Sequence, residues 1–75
     1  MSQQAYIEKT LEGAFPNSQI EVVDTTGGGD HFQVKIVSQR FDGLTMIEQH
    51  RLVYAELGKR VGHEIHALGL QTSAK

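Results

Sequence analysis

Seventy-five residues suit one domain spanning residues 1–75, which buries only about 60% of the surface its unfolded chain exposes and leaves little room for an enclosed substrate cavity. With 39% hydrophobic and 21% charged residues the chain has ordinary globular composition, and its formal net charge of −2 argues mildly against a nucleic-acid protein. Cysteine is absent, which excludes a disulfide scaffold, a thiolate nucleophile and any metal site built on the chain's own sulfur.

The opening MSQQAYIEKTLEGAF lacks the apolar run of a signal peptide and the Arg-rich, acid-poor character of a transit peptide, so a cytoplasmic location is expected. No apolar run is long enough to span a membrane. Ile7, Leu11, Ala14 and Phe15 recur at helical spacing, with Gln4, Glu8 and Glu12 on the watered side. A first helix is therefore predicted over 3–15, ended by Pro16, whose ring disfavours the α conformation at Phe15.

A β-branched stretch, IEVVDTT, predicts a strand over 19–26, and Gly27, Gly28, Gly29 and Asp30 then make a turn. In HFQVKIVS, Phe32, Val34 and Ile36 alternate with Gln33 and Lys35, predicting a second strand over 31–38 with one core face. The two strands form a hairpin. Arg40 to Gly43 is a second connection. Thr45 followed three residues later by Glu48 has capping-box spacing and starts a second helix over 45–61. Its apolar stripe is Met46, His50, Val53, Leu57 and Val61, widened by Leu52 and Tyr54, and Gly62 is the expected stop.

EIHALGLQT is too interrupted for a helix and alternates like a strand, predicted over 65–72; Ser73 to Lys75 should fray. The second helix lies between two strands, so those strands are expected to pair side by side in parallel through a right-handed crossover. The expected architecture is a two-layer α/β (α+β) domain, αββαβ, with a three-stranded mixed sheet and both helices on one face.

Nothing in the chain reads as catalytic machinery, and no enzyme is expected. The serines lie in no G-x-S-x-G pattern. The glycine run is followed by no Lys-Ser/Thr and no helix, so it is a hairpin turn rather than a phosphate loop. Of four histidines, His50 lies on the apolar face of the second helix and is expected to be packed and hydrogen-bonded, while His63 follows the helix as a surface residue. His31 opens the second strand and His66 lies near the start of the third. Parallel neighbours would bring these two to one end of the sheet, roughly one strand spacing of 5 Å apart. On pattern alone, two solvated histidines explain the pair better than a metal site does, because histidines on solvated faces are common. Two imidazoles are also half a site, because zinc and iron–sulfur clusters take four ligands.

The runs SQRFDGL (38–44), HRLVY (50–54) and IHAL (65–68), at these separations, resemble the BolA family from the first helix to Thr72. The resemblance implies a fold similar to class II KH domains and association with a monothiol glutaredoxin through a bridging 2Fe–2S cluster. It makes His66 the match for the family's C-terminal histidine ligand. The family's second ligand comes from the hairpin loop and is cysteine or histidine; here His31 is of the histidine type, with Asp30 or water as substitutes. The partner would supply a cysteine and glutathione a thiolate. Neutral imidazole ligands imply a less negative, higher-potential cluster that is acid-labile.

The rival reading is a nucleic-acid-binding transcriptional regulator, with Arg40, Arg51, Lys59 and Arg60 as a basic patch. Against it, the chain lacks the G-x-x-G clamp of KH domains, because Gly58-Lys59-Arg60-Val61-Gly62 is one residue too long. A third reading is a plain interaction domain with the two histidines incidental. A homodimer and DNA stand as secondary partners, and no membrane is implied.

Overall fold

The computed structural model describes residues 3–58, 61 and 67–74. Helix α1 (Gln3–Ala14) precedes strands β1 (Gln19–Asp24) and β2 (His31–Val37); a 3₁₀ turn (Gln39–Phe41), helix α2 (Met46–Leu57) and strand β3 (Ala67–Ser73) follow. The sheet order is β1-β2-β3, with β1 antiparallel and β3 parallel to the central β2. This is the expected helix–strand–strand–helix–strand order and the expected parallel pair.

Alternation decides which side of the sheet is covered. Ile20 and Val22, then Phe32, Val34 and Ile36, then Leu68, Leu70 and Thr72 stand in register across the three strands. The apolar members pack with Ile7, Leu11 and Phe15 from α1 and its end, and with Val53 and Leu57 from α2. Phe41 from the 3₁₀ turn joins them, its ring centroid 5.1 Å from that of Phe15. Each fully buried side chain of this kind stabilises the fold by about 1.5–3 kcal/mol. Both helices thus lie on one face. The other face carries Gln19, Glu21, Val23, His31, Gln33 and Lys35 at the alternate positions.

Several boundaries and contacts differ from expectation. β1 stops at Asp24 rather than Thr26, because the Asp24 carboxylate captures backbone amides of the loop that follows. α2 ends at Leu57, four residues before Val61: Gly58 takes φ +70° and donates its N–H to the Tyr54 carbonyl. The α2 stripe is also rotated, since Gln49, Val53 and Leu57 are buried while Met46 is 54% exposed. The Gln49 amide nitrogen donates to the Leu44 carbonyl at 3.0 Å, while its buried Oε1 has no hydrogen-bond partner among the described residues. On α1, Gln4 is half-buried rather than on the watered side, donating to the Val22 carbonyl at 3.2 Å. Ser73 does not fray: it pairs with Val37, and its carbonyl accepts from Ser38 N at 3.0 Å. The expectations for Lys59, Arg60, Gly62, His63, His66 and Lys75 lie outside the described residues.

Candidate metal-ligand site at the β1–β2 loop

The loop between β1 and β2 is built around one carboxylate. Asp24 Oδ1 accepts the amides of Thr26 at 3.2 Å and Gly27 at 2.8 Å, and Oδ2 accepts that of Gly29 at 2.9 Å. Gly27 and Gly29 both have φ +78°, a conformation that L side chains rarely adopt. The glycines therefore serve a specific turn rather than general flexibility. A second clamp closes the loop: the Thr25 amide (3.0 Å) and hydroxyl (3.2 Å) both donate to the His31 carbonyl.

The clamp fixes the backbone at His31, the first residue of the central strand. On the open face His31 is followed by Gln33 and Lys35, and its Cα lies opposite Ala67, the residue after His66 in the chain. The side chain is 43% exposed, and its Nδ1 lies 2.8 Å from Oδ1 of Asp30, itself 39% exposed. A carboxylate holding one ring nitrogen of a histidine is the usual outer-shell arrangement of imidazole ligands. His31 therefore has the donor chemistry a cluster or metal ion requires. Among the described residues no three His, Cys, Asp or Glu side chains converge as a metal site. Further ligands to a metal at His31 would have to come from beyond that set.

The other candidates fare differently. His50 is half-buried on α2, and its buried Nε2 lacks the expected hydrogen-bond partner among the described residues. Arg40 is drawn out of the proposed basic patch. Its guanidinium donates to the Ala14 carbonyl at the end of α1, lies 4.8 Å over the Phe15 ring and sits 3.7 Å from Glu56. Arg51 is exposed on α2. Sequence reasoning missed Asp24 and the pairing role of Asp30; the signal available for Asp24 was an Asx residue entering a glycine-rich turn.

The family model for BolA-like proteins matches residues 8–75. The chain is 37% identical over 73 residues to the DNA-binding transcriptional regulator BolA of Escherichia coli, covering 88% of this chain and 70% of that protein. It is 37% identical over 75 residues to human BolA-like protein 1, covering 91% of this chain and 55% of the relative, so it spans about half of that protein's length. Among solved structures, the BolA domain of SufE1 from Arabidopsis thaliana superposes with a TM-score of 0.88 at 29% identity, over 99% of this chain and 94% of that one.

Proposed function

The chain belongs to the BolA-like protein family, and from that premise we propose that it is a non-catalytic adaptor that binds a monothiol glutaredoxin and shares a 2Fe–2S cluster with it. His66 and His31 are the chain's ligands in this reading, and the partner's cysteine and glutathione complete the set. The observation that carries it is His31: a half-exposed imidazole at the mouth of the central strand, held by Asp30, with its Cα opposite the residue that follows His66.

Bound there, the cluster would supply one-electron redox chemistry. The chain's own contribution is to present imidazole from a rigid sheet end. The Thr25 clamp and the Asp24-centred loop supply the rigidity. Ligands on rigid elements hold their geometry better than ligands on free loops.

The test is to combine the chain with a monothiol glutaredoxin, glutathione, iron and sulfide, and to record visible absorption and circular dichroism. A bridged cluster should form, and His66→Ala should change or abolish its spectrum. His31→Ala should act in the same direction but more weakly, if Asp30 or water replaces the ring. An unchanged spectrum in His66→Ala, with cluster present, would overturn the reading.

A second reading is a nucleic-acid-binding regulator. The Escherichia coli relative's description as a DNA-binding transcriptional regulator favours it. The net charge of −2 and the engagement of Arg40 by α1 weigh against it.

A further inference from the structure

We propose that Asp30 is a positioning residue for the candidate site: its carboxylate holds the His31 ring as the Nδ1–H tautomer, so that the nitrogen presented to a metal is Nε2. The part of this that concerns the metal rests on the reading of His31 as a ligand. The tautomer is a property of the chain alone.

His31 Nδ1 lies 2.8 Å from Asp30 Oδ1. An ionised carboxylate only accepts hydrogen bonds, so the hydrogen must sit on Nδ1, and the lone pair of the neutral ring is then on Nε2. Within a regular strand, neighbouring side chains point to opposite faces and cannot meet in this way. Asp30 meets His31 because the strand has not yet begun: β2 opens at His31, and Asp30 still belongs to the loop.

The loop's own bonds enforce that break. Gly29, at φ +78°, gives its amide to Asp24 Oδ2 and turns the chain just ahead of Asp30. Two donors from Thr25 hold the His31 carbonyl on the other side of the pair. Asp30 and His31 are thus fixed from both flanks, which lowers the entropy lost in keeping carboxylate and ring together. This also separates the two roles open to Asp30. A carboxylate oxygen spent on Nδ1 orients the ligand rather than replacing it.

The decisive measurement is the tautomer of His31 in the metal-free chain, read from ring ¹⁵N shifts and two-bond ¹⁵N–¹H correlations at mildly alkaline pH. Wild type should show Nδ1–H as the major form. Asp30→Ala should lower the ratio of Nδ1–H to Nε2–H by roughly fivefold, a half-exposed charge-assisted bond being worth less than a buried one. Asp30→Asn should also lower the ratio, because the negative charge that favours the Nδ1–H donor is lost and the neutral amide can donate to Nδ1 as well as accept from it. Unchanged amide shifts across β1 and β2 would show that the variants fold alike, which a merely structural role for Asp30 would not allow.

A wild-type ring found mainly as Nε2–H, or a ratio unaffected by Asp30→Ala, overturns the proposal. Pulsed EPR of the reduced cluster complex with selectively ¹⁵N-labelled histidine then tests the metal clause, and coupling to His31 Nε2 is the expected result. If the apo tautomer holds but His31→Ala leaves the cluster spectrum unchanged, the ligand reading of His31 fails and the metal clause with it. The two failures are therefore distinguishable.

Discussion

Arg40 shows how one side chain can serve three structural purposes at once. Its guanidinium caps a free carbonyl at the end of α1, stacks on Phe15 beside the Phe41 ring, and reaches Glu56 on α2. The ion pair is long and exposed, so it adds little. The cap and the ring contact add more, because carbonyls in a helix's last turn lack partners and the ring face attracts a planar cation. Arg40→Ala should lower stability by about 1 kcal/mol in denaturant unfolding, and Arg40→Lys should recover only part, since ammonium lacks the planar fork. No loss in Arg40→Ala would mean that the contacts are incidental and would return this charge to the surface patch. At the same scale, His31 and Asp30 show why a residue's neighbours matter more than its type: the ring's chemistry follows from the oxygen beside it.

Helix α2 illustrates how well a start can be read and how poorly an end. Both halves of the capping box are present, with Glu48 N donating to Thr45 Oγ1 at 3.2 Å and Thr45 N donating to Glu48 Oε1 at 2.9 Å. Thr45→Ala should therefore cost about 1 kcal/mol, and Thr45→Ser should restore most of it. Equal stability of Thr45→Ala and wild type would show that packing alone fixes this helix start. The other end was misplaced for a definite reason. The apolar spacing continues through Val61, and two glycines, Gly58 and Gly62, compete as terminators. Gly58 wins with a positive φ, and Val61 still packs against the core after the helix has ended. Apolar spacing reports that a residue is buried, not that it is helical. Met46 makes the complementary point: at helical spacing from His50 and Val53, it is nevertheless 54% exposed, beside Ile47 at 64%.

For the molecule as a whole, the sheet divides the surface into a covered side and an open side, and His31 lies on the open one. That side carries Glu21 and Lys35 as direct cross-strand neighbours rather than a basic field. Non-specific DNA binding depends on phosphate neutralisation and falls steeply with salt. A domain of net charge −2 should bind a random duplex only weakly at near-physiological salt. Association with a glutaredoxin should survive moderate salt and strengthen when cluster is present, because coordination bonds are largely unscreened. Both affinities can be measured across one salt series with one protein stock. Submicromolar, sequence-selective DNA binding that is indifferent to His31→Ala and His66→Ala would reverse the order of the two readings. No described helix is long and apolar enough to cross a membrane.

The order of elements, the covered face of β2 and the start of α2 were legible in the sequence because each rests on local chemistry. Period-two alternation, a proline after Phe15 and a Thr-x-x-Glu spacing act within a few residues. The motifs SQRFDGL, HRLVY and IHAL carried the family in the same way. What spacing could not supply was anything set by contacts distant in the chain. The buried Gln49 places its amide nitrogen on the Leu44 carbonyl, Ser73 is ordered because β2 offers a partner, and Arg40 is engaged because α1 ends nearby. The candidate site divides along the same line. His31 was visible as a residue type at a strand start, whereas its pairing with Asp30 required the loop to close around Asp24, and only the folded hairpin brings those three acidic and imidazole groups into that relation.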